Sequence, residues 1–155
     1  MAVYKIVEIG DEILKEKAKA VPKITPNIIK LLDNMAQTLY SAKGVGLAAP
    51  QVGVPKRVIV IDAGEGLIEL INPEILSSSG KDTDTEACLS IPGLIGDVTR
   101  ATSIKVRYFD RQGKEQLAKV KGFPARVFQH EIDHLEGILF IDRASNVRKL
   151  EQKEK

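Results

Sequence analysis

The run HEIDH at residues 130–134 constrains the fold more than any other feature, because it contains both histidines of the chain, four residues apart. On an α-helix, positions i and i+4 lie on one face, so both imidazoles can reach the same metal ion. Glu131 stands beside His130, where its carboxylate can accept a proton from a water bound to that ion. The alternative is a pair of surface or half-buried histidines on an amphipathic helix. The metal interpretation requires a fold that brings a third ligand to this helix.

The third ligand must come from a different residue type, because the chain has no other histidine. A catalytic site needs three protein ligands and an open position, which leaves Cys88 or a carboxylate. A lone free cysteine is usually a small buried hydrophobe, and Cys88 taken alone would be interpreted that way. Taken with HEIDH, a thiolate and two imidazoles make a sensible site, compatible with Zn, Fe, Co or Ni.

The segment GVGLAAPQVG (44–53) is rich in small residues, so its backbone can approach another group closely. A phosphate-binding loop is one use of such a segment. However, no GK[ST] sequence follows, and the segment trails a predicted helix instead of beginning one. A tight helix-to-strand connection is the simpler interpretation. Gln51 is the informative residue, because it places a neutral amide donor at the end of the loop.

Apolar periodicity predicts the main elements of secondary structure. Thr25 and Pro26 suit the N-cap and first position of a long helix, which Gly44 is placed to end. Two β-hairpins are predicted over residues 57–73 and 104–121. A late helix follows, over residues 124–135 with Gly137 as its stop. Strands that precede a late helix predict an α+β fold, with mostly antiparallel sheets packed around a central C-terminal helix carrying HEIDH.

Three other segments have weaker patterns. Residues 11–18 suggest a shorter helical piece. The polar stretch SSSGKDTDTE (77–86) is interpreted as an insertion or irregular strand. The charged tail from residue 144 to 155 is most simply a solvated helix or a frayed end.

Length and composition indicate one domain over residues 1–155, long enough to bury a core. The 23 basic and 21 acidic residues are interspersed, so no basic surface favours a nucleic-acid partner. The N-terminus lacks the apolar segment of a signal peptide, and no apolar run approaches the ~20 residues of a membrane helix. A single cysteine excludes an internal disulfide, and the cytoplasm is the predicted location.

Taken together, the three segments resemble the peptide deformylase family. That family carries the motifs GxGxAAxQ, EGCLS and HExxH in this order and with similar separations, which here are Gly44–Gln51, Glu86–Ser90 and His130–His134. The resemblance implies a metal-dependent hydrolase that removes the N-formyl group from the N-terminal formylmethionine of nascent polypeptides and releases formate. It implies one divalent metal ion, Fe(II) in the cell, with zinc, nickel or cobalt in purified protein.

The resemblance also implies roles for individual residues. The metal ligands would be Cys88, His130 and His134. Glu131 would be the general base and acid. The developing oxyanion would be stabilised by the side chain of Gln51 and the backbone N–H of Leu89.

Further residues would contact the substrate or support the site. Gly46 would offer backbone hydrogen bonds to the substrate. Val45 and Val127 are candidate walls of a pocket for the methionine side chain, with core packing an equal alternative. Two supporting contacts are expected around the ligands: an ion pair between Asp133 and Arg100, and a contact from Glu86 that orients the ligand loop or Arg100.

The sequence departs from the family at Ala87, where the EGCLS motif has glycine. If that position needs a positive φ, alanine costs on the order of 1 kcal/mol. If the glycine makes room for substrate, the extra methyl group narrows the pocket. Two alternatives therefore stay open: another metal-dependent amidase or peptidase, and a non-catalytic metal-binding protein.

The expected partners are formylated nascent peptides. Transient contact of the tail with the ribosome is a weaker alternative, and no membrane contact is expected.

Overall fold

A computed structural model describes residues 2–150 of the chain. Two antiparallel sheets and three α-helices make up the fold. The first sheet has the strand order β1–β2–β3–β6–β7, with bounds Gly46–Ala48, Val58–Ile61, Ile68–Ser79, Ser103–Phe109 and Glu115–Lys121. The second sheet has the order β4–β5–β8, with bounds Asp82–Cys88, Ile91–Arg100 and Ser145–Lys149. The helices are α1 (Pro26–Ser41), α2 (Gly122–Leu135) and α3 (Phe140–Arg143).

Helix α1 begins as predicted, because the side chain of Thr25 accepts a hydrogen bond from the N–H of Ile28. The end of the helix differs from the prediction. The residue with positive φ is Lys43 (φ 57°), so Gly44 is not required for its backbone conformation. A Cβ at Gly44 would instead lie 2.8 Å from Leu89 Cδ1. Glycine at this position therefore makes room for the turn that follows Cys88.

Both predicted hairpins are present, and their registers are antiparallel. Strands β2 and β3 pair with Ile61 opposite Ile68, and strands β6 and β7 pair with Phe109 opposite Glu115. Strand β2 is buried on both faces. Val58 and Val60 pack in the cluster with α1, whereas Ile59 and Ile61 pack in the cluster with α2. A strand covered on both faces explains the continuous apolar run in this part of the sequence.

Helix α2 lies across the first sheet on the face opposite α1. Its apolar residues pack on β2, β3 and β6 in one core cluster, which includes Ala125, Phe128, Ile132 and Leu135. The helix begins two residues earlier than predicted, and Gly137 has the positive φ (75°) expected just after a helix end. This central C-terminal helix between antiparallel sheets confirms the predicted α+β fold.

Three segments differ from the sequence-based interpretation. Residues 77–79 and 82–86 lie in strands β3 and β4, and they are polar because all of them except the buried Glu86 are exposed. The chain passes from the first sheet to the second at Gly80 and Lys81. Residues 11–18 contain only a short 3₁₀ helix (Glu12–Lys15). The start of the tail is neither a helix nor frayed, because β8 pairs with β5; residues 151–155 lie outside the described part.

A smaller core cluster lies between the second sheet, α3 and the 3₁₀ helix, and it contains Leu14, Ile91, Val98, Leu139 and Phe140. No helix formed by residues 2–150 combines the length and the apolar character that crossing a bilayer requires.

Candidate active site

Three predicted metal ligands come together at the junction of α2 with the second sheet. Cys88 ends β4, and His130 and His134 lie one turn apart on α2. The ligand atoms of the three side chains all lie within 4.8 Å of one another, and Cys88 Sγ is 3.3 Å from His134 Nε2. Within residues 2–150 this group has no fourth member. The arrangement therefore has three protein donors from two elements that are far apart in sequence.

The electrostatics of this group favour a cation. Burial disfavours the charged form of His130, but hydrogen bonding to Cys88 and Glu86 outweighs it and raises the pKa of His130 to about 10. The cluster thus attracts a positive charge at this ring, which a metal ion would supply in place of the proton. Burial lowers the pKa of His134 to about 3, which keeps that imidazole neutral. A thiolate with two imidazoles also suits a borderline divalent metal, so these residues fit one.

Glu131 is buried next to the ligands and lines the same cavity. Burial raises the pKa of its carboxyl group to about 7. Its Oε1 atom is buried without a hydrogen-bond partner among the described residues. A carboxyl group with a pKa near neutrality can both accept and release a proton at physiological pH.

Gln51 lies in the 3₁₀ helix Ala49–Val52 that follows β1, and it is buried. Its Oε1 accepts a hydrogen bond from Ala48 N at 2.9 Å, which fixes the orientation of the amide group. Its Nε2 faces Ser90 Oγ at 3.1 Å and Cys88 Sγ at 3.6 Å. The predicted amide donor therefore points toward the metal-ligand group. Leu89 occupies the turn directly after Cys88 and lines the cavity.

A cavity of about 360 Å³ opens beside these residues. It is lined by the three residues for which the sequence predicted contact with the substrate, Val45, Gly46 and Val127. Val45 is exposed at the rim, whereas Val127 is buried in the core cluster as well, so both of its expected roles are compatible with its position. The cavity lies between β1 and β4, each of which is the end strand of its sheet.

Buried ion pairs connect the ligands to the rest of the fold. Glu86 binds His130 Nδ1 through Oε1 at 2.9 Å, and both of its oxygens accept hydrogen bonds from Arg100 at 2.8 Å. Arg100 also donates to Asp133 Oδ2 at 2.7 Å. Both expected contacts of Arg100 are therefore present. Glu86 orients His130 directly, because its hydrogen bond occupies Nδ1.

Sequence reasoning missed two residues of this site, Arg126 and Ser90. Arg126 donates to Glu86 Oε2 at 2.6 Å and to the carbonyl of Val98 at 2.8 Å. Its position four residues before His130, on the same helical face, was a signal that could have identified it. Ser90 is fully buried against Gln51, and no local pattern indicates that contact.

Ala87 causes no backbone strain. Within residues 2–150, the non-glycine residues with positive φ are Lys43, Asn72 and Asn146. The exposed side chain of Ala87 lies on β4 at the wall of the cavity. Its methyl group therefore affects the shape of the cavity and not the conformation of the chain.

Comparisons with known proteins agree with this geometry. A model of the family described as polypeptide deformylase matches residues 3–150. A peptide deformylase of Pelotomaculum thermopropionicum is 68% identical over 99% of both chains, and one of Carboxydothermus hydrogenoformans is 62% identical over 95% of this chain and 97% of its own. The crystal structure of peptide deformylase from Thermotoga maritima has a TM-score of 0.91 and 44% identity, covering 92% of this chain and 98% of its own. The chain therefore belongs to the polypeptide deformylase family, hydrolases that use a single divalent metal ion to remove the formyl group from nascent polypeptides.

Proposed function

We propose that Cys88, His130 and His134 bind the divalent metal ion, and that Glu131 carries the proton during hydrolysis of the N-formyl group. The observation that carries the proposal is the convergence of the three ligand atoms within 4.8 Å, beside a buried carboxyl group. A bound divalent cation supplies the electrophile that polarises the formyl carbonyl and activates water at neutral pH. A structural zinc site usually has four protein ligands, so three argue for a catalytic site.

Glu131 performs the proton transfer in this proposal. Its ionised carboxylate accepts a proton from the attacking water and then delivers it to the departing amine nitrogen. A pKa raised to about 7 by burial suits both halves of this transfer near neutral pH. The unpartnered Oε1 supports this role, because its hydrogen bond is not already made within the described residues.

Gln51 and Leu89 stabilise the negative charge that develops on the formyl oxygen. Gln51 Nε2 is the side-chain donor, and the backbone N–H of Leu89 is the second donor. Each such donor contributes about 3–4 kcal/mol of transition-state stabilisation. The position of Gln51 Nε2 near Cys88 Sγ supports its part in this assignment.

The substrate peptide lies along the cavity between the end strands β1 and β4. The backbone of Gly46 hydrogen-bonds to it in the manner of an added strand. Val45 and Val127 contact the methionine side chain, supported by their position in the cavity wall. The ion pairs of Arg100 with Glu86 and with Asp133 link β4 and α2, the two elements that carry the proposed ligands.

Further properties extend this proposal. We propose Fe(II) as the ion in the cell, on the basis of the family resemblance, and zinc, nickel or cobalt in purified protein, because the donor set is compatible with all four. The substrate class is the N-formylmethionyl nascent peptide, which places the enzyme in the cytoplasm with transient access to the ribosome. We also propose that residues 1–155 form a single catalytic domain.

Formate release from a formyl-Met peptide, measured anaerobically with iron-loaded protein, tests the assignment of Glu131. Glu131→Gln keeps the size of the side chain and removes its basicity, so we expect kcat to fall by about 10²–10⁴-fold with metal content unchanged. Glu136→Gln, five residues later at the helix end, is the matched control and should retain kcat. An inactive iron-loaded parent would reject the activity, and an active Glu131→Gln variant would reject the assigned base.

A further inference from the structure

Ser90 connects segments from both sheets behind the proposed oxyanion site. It occupies the turn between β4 and β5 and is fully buried. Its hydroxyl oxygen accepts a hydrogen bond from Gln51 Nε2 at 3.1 Å. Gln51 follows β1 of the first sheet, whereas Ser90 follows β4 of the second. The bond between the two side chains therefore bridges the two sheets.

The hydrogen bonds of the Gln51 amide involve its carbonyl oxygen and both protons of Nε2. The carbonyl oxygen Oε1 is occupied by Ala48 N, so the amide cannot rotate by 180° without losing that bond. Nε2 carries two protons, and Ser90 Oγ accepts one of them. The second proton donates to Cys88 Sγ, 3.6 Å from Nε2, so it is the proton that faces the metal-ligand group. With Oε1 held by Ala48 N, the bond to Ser90 Oγ restrains the same amide group at Nε2.

The N-terminal segment also contacts both Gln51 and Ser90, through backbone hydrogen bonds. Val7 N donates to the carbonyl of Gln51 at 2.7 Å, and Ile9 N donates to the carbonyl of Ser90 at 2.8 Å. These two amides are two residues apart on one segment. They therefore hold the Gln51 and Ser90 backbones at a fixed separation, which the bond between the side chains requires.

We propose that Ser90 is a positioning residue for deformylation: its hydroxyl group holds the Gln51 amide so that Nε2 donates to the oxygen of the bound formyl group. Val7 and Ile9 hold the two backbones for it. This proposal rests on the role given to Gln51 above. Ser90 itself does not touch the substrate, so its whole effect on kcat passes through Gln51.

A double-mutant cycle with Ser90→Ala and Gln51→Ala tests the proposal in metal-loaded protein. We expect Gln51→Ala to lower kcat by about 10²-fold or more. Ser90→Ala, which removes one hydrogen bond, should lower kcat by about fivefold to tenfold. In the Gln51→Ala background, Ser90→Ala should change kcat by less than about twofold, because the residue through which it acts is gone. KM and metal content should be similar in Ser90→Ala and the parent, whereas the melting temperature should fall modestly, because a buried donor of Gln51 loses its acceptor.

Two further variants separate positioning from general packing. Ser90→Thr keeps the hydroxyl group and should recover most of the lost kcat. Ser77→Ala, on an exposed part of β3, is the control for loss of a serine hydroxyl and should match the parent. A separate readout is the Gln51 side-chain amide signal in ¹⁵N spectra of zinc-loaded protein, identified by its absence in Gln51→Ala. This signal should shift in Ser90→Ala.

The outcomes distinguish the two proposals. If Gln51→Ala leaves kcat unchanged, the role of Gln51 is wrong and the proposal for Ser90 falls with it. If Gln51→Ala impairs kcat while Ser90→Ala has no effect, or has the same effect in both backgrounds, Gln51 stands and the proposal for Ser90 is overturned. An unchanged Gln51 amide signal in Ser90→Ala overturns it as well, without reference to activity.

Discussion

Gly46 sets how closely α2 approaches the edge of the first sheet. A Cβ at this position would lie 2.7 Å from Glu131 Oε2, 2.8 Å from Glu131 Cγ and 2.9 Å from Val127 Cγ1. These distances are too short for a real Cβ, so any side chain here must displace the helix or Glu131. A small residue of the GVGLAAPQVG segment is therefore required at Gly46, because the proposed catalytic carboxylate of Glu131 packs against its Cα.

Gly46→Ala should lower kcat by at least about tenfold, because the new methyl group displaces the Glu131 carboxylate from its position. Gly64→Ala is a useful comparison. Gly64 has open space around it but a positive φ of 104°, so its substitution should reduce stability and leave kcat unchanged. Steady-state kinetics with thermal melts would check both variants. Equal kcat values for Gly46→Ala and the parent would contradict the proposed constraint.

Three elements meet at one buried network of ion pairs. Strand β4 contributes Glu86, strand β5 contributes Arg100, and helix α2 contributes Arg126 and Asp133. Arg143 extends the network from α3, with Nε 2.6 Å from Asp133 Oδ2. Removing one member of a buried pair leaves its partner's charge uncompensated in a poorly solvated position. This network therefore fixes α2, and the histidines on it, relative to the strand that carries Cys88.

Arg100→Ala should lower the free energy of unfolding by about 3 kcal/mol and reduce the metal retained after dialysis. Arg107→Ala is the matched control, because the ion pair of Arg107 with Glu74 is exposed. Exposed pairs contribute about 0–1 kcal/mol, so that variant should resemble the parent. Urea titrations and metal analysis give both quantities. An Arg100→Ala variant with unchanged melting and metal content would show that the network does not support the site.

Helix α2 contacts both sheets and joins them into one molecule. Helix α2 packs on the first sheet through Phe128 and Ile132, and its opposite face brings His130 to Cys88 and Glu86 of the second sheet. The N-terminal segment donates hydrogen bonds to Gln51, which follows β1 of the first sheet, and to Ser90, which follows β4 of the second sheet. The first sheet has a second core cluster on its far side, under α1, whereas the cluster around β5 of the second sheet is the smallest of the three.

The metal-loaded chain should therefore unfold in a single cooperative transition, as expected for one domain over residues 1–155. Amide hydrogen exchange provides the check. The slowest amides of β2 in the first sheet and of β5 in the second should report the same opening free energy and the same dependence on urea. A lower opening free energy confined to β4, β5 and β8 would mean that the second sheet unfolds separately.

Local patterns predicted the elements in which burial is periodic. Helix α1 with its Thr25 cap and the HEIDH helix have apolar residues at helical spacing, and the hairpins have β-branched runs bounded by turn residues. The strand at residues 145–149 was missed, and residues 77–86 were interpreted only as an insertion or irregular strand, because exposed strands have no apolar alternation. Strand β8 also depends on β5, about fifty residues earlier in the chain, for its hydrogen bonds. Pairing between strands so far apart in sequence cannot be predicted from the residues of either strand alone.

By itself the sequence predicted the ligand types, because the spacing of His130 and His134 on a helix left Cys88 or a carboxylate as the third candidate. It also determined that Gln51 ends a segment of small residues. Only the tertiary structure decided which charges support His130, and that Ser90 holds Gln51. The physical reason is that helical spacing is a local property of the chain. Contacts between β4, β5, α2 and the N-terminal segment depend instead on how the two sheets pack.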